Sequence, residues 1–110
     1  MTRVLFVYMT AGDLAEAERI AEALVEERLA ACVNILDGMR SVFRWQGSVQ
    51  KGREVAMFAK TREDLFDDLK ARVVELHSYE LPCVVALPIR SGHEPFLDWV
   101  SEEANPSMIV

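Results

Sequence analysis

Two short segments of this 110-residue chain are apolar at consecutive positions, and they constrain its fold more than any other feature. The segments are Val4 to Met9 and Cys83 to Ile89. A strand points successive side chains to opposite faces, so a strand that is apolar at odd and even positions needs cover on both faces. Both segments are rich in residues that favour strands. We therefore predict two core strands, each buried on two sides.

Three helical patterns follow these strands or lie between them. Gly12 ends the first strand, and Asp13 with Glu16 three residues later is a capping pattern for a first helix. We predict that this helix places Glu16 on its charged outer face and turns one apolar stripe to the sheet. The stripe consists of Leu14, Ala17, Ile20, Ala21, Leu24, Val25 and Leu29. Thr61 is predicted to cap the second helix, and a short third helix is predicted after Gly92.

The segment from Ala31 to Trp45 is too long to match the other strands. It has strand character throughout, with a bulge predicted at Asp37 and Gly38, and it turns back at positions 46–48. At about 3.3 Å per residue it would reach nearly 50 Å, whereas the first strand would span about 20 Å. The second and third strands should therefore overhang the domain as an extended hairpin. An isolated two-stranded hairpin is marginally stable in water, so we expect a neighbouring subunit to cover it.

The order of these elements predicts one α+β domain over residues 1–110, a ferredoxin-like βαββαβ sandwich with an extended hairpin between its second and third strands and a C-terminal helix. In this topology two helices cover one face of a four-stranded antiparallel sheet. The other face of the apolar strands must find protein elsewhere. Self-association is the expected result.

Composition narrows the function classes. The net charge is −6 and the 12 Lys and Arg are spread along the chain, which predicts no nucleic-acid partner. No run of 18 apolar residues occurs, so no membrane span is predicted. The first ten residues lack a signal-peptide cleavage site, which predicts a cytoplasmic location. For that compartment, Cys32 and Cys83 are predicted to be buried thiols rather than a disulfide.

Sequence motifs of common enzymes are absent from the chain. It has no nucleophile elbow, no phosphate-binding loop of the Walker type and no dinucleotide-binding glycine pattern. The loop from Thr10 to Asp13 carries an acid where an acylphosphatase would hold phosphate. We therefore expect that the protein is not an enzyme.

Several segments together resemble the CutA family of divalent-cation-tolerance proteins. They cover essentially the whole chain in order: ERLAACVNI at 27–35, RWQG at 44–47, KTR at 60–62, HSYELP at 77–82, LPI at 87–89 and LDWV at 97–100. The resemblance implies a homotrimer whose long hairpins extend across neighbours. It also implies a role in tolerance to copper and other divalent cations. A PII-like ligand-sensing or scaffolding trimer remains the alternative function.

Candidate metal ligands lie at the end of the first strand and after the second helix. In some bacterial members of the family copper is assigned to a Cys and two adjacent His, and the resemblance places these positions at Met9, Leu76 and His77. From the residues alone, the imidazole of His77, the carboxylate of Glu80 and the thiolate of Cys83 are possible ligands for copper or another divalent cation. The thioether of Met9 would add a soft donor. Alternatively, His77 simply ends a helix, where a cation is favourable.

Three further residues are candidates for a ligand site or a subunit interface. The indole of Trp45 could stack on a ligand or anchor the hairpin to a neighbouring subunit, and we favour the anchor. Lys60 and Tyr79 could bind an anion near a subunit boundary, or could hold the register of the trimer through polar contacts. Protein partners other than the homotrimer are not predicted.

Overall fold

The computed structural model describes residues 3–108, which form a four-stranded sheet with three α-helices. Short 3₁₀ turns at Glu63–Leu65 and Pro106–Met108 complete the chain. The elements are β1 Val4–Ala11, α1 Leu14–Glu26, β2 Cys32–Trp45, β3 Ser48–Arg62, α2 Phe66–Leu76, β4 Val84–Pro88 and α3 Glu94–Glu103. The predicted order of strands and helices is confirmed.

The strand order is β2-β3-β1-β4, and every neighbouring pair is antiparallel. The two segments that are apolar on both sides became β1, which lies inside the sheet, and β4, which lies at its edge. The predicted α+β class and ferredoxin-like arrangement are confirmed. The order also leaves β2 as the other edge strand.

The main core lies between the sheet and the two long helices. Alternate residues of β1 and β3 face this core and meet the apolar stripes of α1 and α2. Its largest fully buried side chains include Val7, Met9, Ile20, Leu24, Val55, Met57, Leu69 and Val73. A smaller cluster joins Val100 of α3 to Val4 at the start of β1.

In the described part of the chain, no helix covers most of the opposite sheet face, and we call this surface the open face. The register aligns Tyr8 with Phe58 and Val85, which places all three side chains on the same side of the sheet. Farther out on this face Val85 is 53% exposed and Leu87 is 62% exposed. Within one chain, β4 is therefore covered on one of its two apolar faces and exposed on the other.

Beyond the sheet, β2 and β3 continue as a hairpin arm, residues 39–54, whose two strands pair with each other and with no other strand among the described residues. The arm turns at Gln46 and Gly47, whose φ angles of 50° and 85° define a two-residue hairpin loop. The predicted bulge is confirmed, because the register shifts between Leu36 and Met39, and Gly38 adopts a φ of 87° that an L side chain rarely takes.

One predicted helix boundary is wrong. Thr61 does not cap α2, because β3 continues to Arg62, which pairs with Val4 of β1. The Thr61 side chain is buried, and its hydroxyl donates a 2.6 Å hydrogen bond to the carbonyl of Leu29. A β-branched residue with that partner is more stable inside the strand than at a helix end.

Candidate functional site

A polar cluster lies where β1 ends, α1 begins and α2 ends. It comprises Glu16 in the first turn of α1, His77 and Tyr79 in the loop after α2, and Glu54 at the base of the hairpin arm. The fold brings these elements together because the turn from β1 into α1 lies beside the loop that follows α2. His77 and Tyr79 were predicted as site residues, whereas Glu16 and Glu54 were not.

Glu16 connects three segments of the cluster. Its Oε1 accepts a 3.1 Å hydrogen bond from the amide of Gly12, and its Oε2 accepts a 2.8 Å bond from the amide of Ser78. Asp13 in turn accepts from the Glu16 amide at 2.8 Å, which confirms the predicted cap. The predicted outward position of Glu16 is wrong, because the side chain folds back over the helix end and is buried.

The Glu16 carboxyl group is held in its charged form. Burial alone raises its pKa, but the hydrogen bonds from Ser78 and Gly12 outweigh burial, so the pKa is lowered. The guanidinium of Arg19 also lies 3.7 Å from Oε2. Because Asp13 and Glu16 fill the N-terminus of α1 with carboxylates, this end of the helix is not available to a phosphate.

His77 is a buried, neutral imidazole with both nitrogens engaged. Its Nε2 lies 2.7 Å from the carbonyl oxygen of Thr10, which can only accept, so Nε2 carries the proton. Its Nδ1 accepts a 3.1 Å hydrogen bond from the Tyr79 amide. The side chain is 0% exposed. A cation can bind Nδ1 only after the Tyr79 amide has left it.

Tyr79 extends the cluster to the hairpin arm. Its ring packs 4.5 Å from the His77 ring, measured between centroids, and its hydroxyl donates a 2.8 Å hydrogen bond to Oε2 of Glu54. Burial, and then the bond to Glu54, raise the pKa of Tyr79. The hydroxyl therefore stays protonated at neutral pH, and its hydrogen bond links the loop after α2 to β3.

The other predicted metal ligands do not converge on His77 as a ready centre. Met9 is fully buried in the core on the helix side of β1, and Glu80 is exposed to solvent. Among residues 3–108, no group of three or more His, Cys, Asp and Glu side chains is arranged to hold a metal ion. The assignment of His77, Met9 and Glu80 as ligands stays a prediction.

The remaining predicted site residues lie apart from one another. Lys60 is on the open face, where its ammonium group donates to Oδ1 of Asn34. Tyr79 instead reaches β3 six positions away, at Glu54, or about 20 Å along the strand. Trp45 ends β2 at the tip of the arm, opposite Ser48. Lys60 and Tyr79 therefore do not share a site within one chain.

Both cysteines are free thiols, as predicted, but neither is fully buried in the isolated chain. Cys32 begins the edge strand β2, and Cys83 directly precedes β4. Partial burial, with a smaller effect of Glu54, raises the pKa of the Cys83 thiol. Cys83 is therefore a weak nucleophile at neutral pH.

Comparison with known proteins identifies the group to which this fold and sequence belong. Residues 5–103 match the family model described as CutA1 divalent ion tolerance protein. The Divalent-cation tolerance protein CutA of Archaeoglobus fulgidus is 47% identical over 97 residues, which cover 88% of this chain and 94% of the relative. That of Thermus thermophilus is 49% identical over 96 residues, covering 87% and 93%. The chain belongs to the CutA1 family.

Solved structures agree with this assignment. The structure described as the periplasmic divalent cation tolerance protein CutA from Archaeoglobus fulgidus aligns with a TM-score of 0.89 and 45% identity, covering 93% of this chain and 99% of that one. CutA from Xylella fastidiosa aligns with a TM-score of 0.90 and 36% identity, covering 93% and 98%. In residues 3–108, no helix is both long and apolar enough to cross a membrane.

Proposed function

We propose that this protein acts as a homotrimer in divalent-cation tolerance, as part of a response to metal ions, and that it is not an enzyme. The observation that carries the assembly is the uncovered open face. Three of its aliphatic side chains, Leu36, Val85 and Leu87, are 62%, 53% and 62% exposed in the single chain. Exposed apolar surface of this kind marks protein contacts, and each buried side chain contributes about 1.5–3 kcal/mol.

The hairpin arm supports the same assembly. Within residues 3–108 no third strand and no helix covers it, and it exposes Val42, Phe43 and Val49 by 67%, 44% and 59%. A two-stranded arm with an apolar surface is expected to be stable only when other protein covers it. A neighbouring copy would supply that cover, and three copies are what the resemblance to CutA proteins implies.

Light scattering after size exclusion tests the assembly. At micromolar concentration the protein should have three times the 12.4 kDa mass of the chain. Replacing two open-face residues, Val85→Glu with Leu87→Glu, should reduce it to a monomer, whereas Glu18→Gln on the exposed face of α1 should not. A wild-type monomer under these conditions would contradict the proposal.

Growth of a copper-sensitive bacterium that expresses the chain tests the tolerance role. The wild-type protein should raise the copper concentration at which growth halves, and the monomeric double variant should not. If both proteins, produced at equal levels, leave that concentration unchanged, the tolerance role fails even if the trimer is present.

For cation binding, we propose weak binding of copper or another divalent cation, because the predicted ligands do not form a ready centre. His77 would have to release the Tyr79 amide, and Met9 is enclosed in the core. Rearrangement of buried groups lowers the affinity for a ligand. The expected dissociation constant is about micromolar or weaker, since so few donors are free.

A PII-like trimer that senses a small anion is the second candidate, and one observation favours it. Lys60 places a cation on the open face among apolar side chains, and within residues 3–108 its hydrogen-bond partner is the Asn34 amide. At a subunit boundary this ammonium group could pair with an anionic ligand. Thermal-shift titration with inorganic phosphate and ATP, compared with Lys60→Gln, tests this role.

The cytoplasm stays the predicted compartment. The presence of two free thiols, Cys32 and Cys83, supports a reducing environment. Fractionation of the native host, with an antibody against the chain and markers for each compartment, would test this prediction.

A further inference from the structure

The two faces of the hairpin arm differ in chemistry. Paired residues of neighbouring strands share a face, and so do alternate residues along each strand. One face therefore carries three successive pairs, which are Arg40 with Arg53, Val42 with Lys51, and Arg44 with Val49. All six residues are exposed. We call this side of the arm the basic face.

The basic face concentrates positive charge in an otherwise acidic chain. Residues 38–53 contain four Lys and Arg and no Asp or Glu. The whole chain has 12 Lys and Arg against 18 Asp and Glu, so the other residues carry 8 cations and 18 acids, a net charge of −10. The sequence had suggested that the cations form no cluster, but the pairing of β2 with β3 gathers these four.

The four cations of the basic face lack neutralising partners. In the described part of the chain none of them forms an ion pair. Arg40 and Arg53 lie directly opposite each other, and like charges in that position destabilise a strand pair. Between the cations, Val42 and Val49 are 67% and 59% exposed. An anionic surface that also accepts aliphatic side chains would neutralise the charges and cover the valines.

The basic face lies on the opposite side of the ribbon from the open face. Along β3, Phe58 is on the open face and Met57 is in the core, and alternation places Arg53 on the same side as Met57. The self-assembly proposed above buries the open face, so that contact leaves the basic face turned away from it. Of the exposed apolar side chains of the arm, Phe43 lies on the open-face side, whereas Val42 and Val49 lie on the basic face.

The side chains between the cations favour a lipid surface over a nucleic acid. The aromatic residues of the arm, Phe43 and Trp45, belong to its other face, so the basic face offers no ring on which a base could stack. Its uncharged side chains are aliphatic, and such side chains enter the boundary between lipid headgroups and acyl chains. The Arg and Lys side chains are long enough to reach headgroup phosphates beside them.

We propose that the basic face is a peripheral membrane-binding surface that docks on anionic phospholipids. Its four cations contact headgroup phosphates, and its two valines enter the layer below them. Such a contact needs no membrane span, and it fits the predicted cytoplasmic location, because the cytoplasmic leaflet is anionic. The acidic remainder of the chain is repelled by the same surface, which turns the arm towards the bilayer. This inference goes beyond the proposed role in cation tolerance.

Flotation with vesicles tests the contact. Wild-type protein should float with vesicles of phosphatidylcholine and phosphatidylglycerol in equal parts, and should not float with phosphatidylcholine alone. Each cation near an anionic bilayer contributes about a fivefold gain in partition, so Arg44→Gln with Lys51→Gln should reduce binding about 25-fold. Lys70→Gln with Arg90→Gln, at exposed cations away from the arm, removes the same charge and is the matched control.

The valines distinguish a lipid surface from a soluble polyanion. Val42→Ser with Val49→Ser keeps every charge, so it should leave retention on heparin unchanged. It should weaken binding to the anionic vesicles by about tenfold or more, because the apolar contact is lost. If this variant binds the vesicles as well as wild type does, charge alone explains the binding and the lipid contact is overturned.

The other outcomes are also decisive. A wild type that binds anionic vesicles no better than neutral ones overturns the proposal, and so does equal binding by the Arg44→Gln/Lys51→Gln variant and its control. Light scattering of the same samples reports assembly separately. Loss of lipid binding by an intact oligomer therefore supports the basic face, and a monomeric wild type that binds anionic vesicles through this face supports it while contradicting the trimer.

Acetylation of the unaltered protein provides a second test that does not depend on variants folding. The chain has three lysines, Lys51, Lys60 and Lys70. Anionic vesicles should slow acetylation of Lys51 and leave the exposed Lys70 unchanged, as measured by peptide mass spectrometry, and phosphatidylcholine vesicles should slow neither. Acetylation of Lys51 at the same rate with and without anionic vesicles would overturn the contact.

Discussion

Oε2 of Glu16 lies 3.8 Å from Nδ1 of His77 and both side chains are buried, yet the two groups do not share a hydrogen bond. The imidazole nitrogen accepts from the Tyr79 amide, and the carboxylate accepts from Ser78 and Gly12. The buried charge therefore orders the loop after α2 and holds it against the start of α1. His77, a predicted ligand, is part of this structural network.

Glu16→Gln should destabilise the fold. An amide has one acceptor oxygen in place of two, so the amide of Gly12 or Ser78 would lose its partner. The expected loss is about 1–3 kcal/mol in the free energy of unfolding. Chemical denaturation at pH 7 measures it, with Glu18→Gln on the exposed side of α1 as the control, which should change stability by less than about 0.5 kcal/mol. Equal stability of the two variants would contradict the role given to Glu16.

The contribution of Glu16 should also depend on pH. Its pKa is lower in the folded chain than in the unfolded chain, where a Glu titrates at about 4.3. The stabilisation is therefore fully present above the unfolded pKa and is lost as the pH falls through the folded pKa. Denaturation curves from pH 7 to acid should show the gap between wild type and Glu16→Gln closing. A gap that stays constant would rule out this linkage.

Much of the fold could be predicted because its signals are local. Two-sided apolar strands, the helical stripes and the bulge at Gly38 each follow from the period of side chains along an element. Local signals did not predict the position of Thr61 correctly, because a β-branched residue with a hydroxyl group before a helix can either cap the helix or end a strand. The hydrogen bond from Thr61 to the carbonyl of Leu29, which is distant in sequence, favours the strand position.

The candidate site was harder to predict because its contacts are long-range. Helical spacing places Glu16 with the charged outer residues, but its position in the first turn lets the side chain reach Gly12 and Ser78. The pairing of Tyr79 with Glu54 joins a loop to a strand that no local pattern connects. The Asp13 cap was the one sequence signal that pointed to this end of α1.

Trp45→Ala should weaken assembly more than it weakens the fold of one chain. The indole lies near the tip of the arm and is only partly buried within its own chain. Where a neighbouring copy covers it, its truncation should cost about 3–5 kcal/mol. Dilution monitored by light scattering measures the change, and Trp99→Ala, at an indole 41% exposed on α3, is the control. If the Trp45 variant dissociates no more readily than wild type, the indole is not an interface anchor.

Cys32 and Cys83 should react slowly with iodoacetamide in the assembled protein. Both are half-buried in the single chain, and burial raises the pKa of Cys83, so little thiolate is present near pH 7.5. Cys32 begins an edge strand, so its protection should depend on a neighbouring subunit. Peptide mass spectrometry should show faster labelling of Cys32 in the Val85→Glu/Leu87→Glu variant. Rapid labelling of Cys32 in native wild type would instead indicate a redox or metal role.

Copper binding provides the sharpest test of His77. If this residue is the central ligand, calorimetry should show weak binding, about micromolar or worse, with Cu(II) preferred over Zn(II) by the usual divalent order. The affinity should fall in acid, because protonated imidazole cannot coordinate. His77→Ala should abolish binding and leave the trimer intact, while alanine at the chain's other histidine, the exposed His93, should change nothing. Unchanged copper affinity in His77→Ala would exclude this site, and the sensing or scaffolding role would then be favoured.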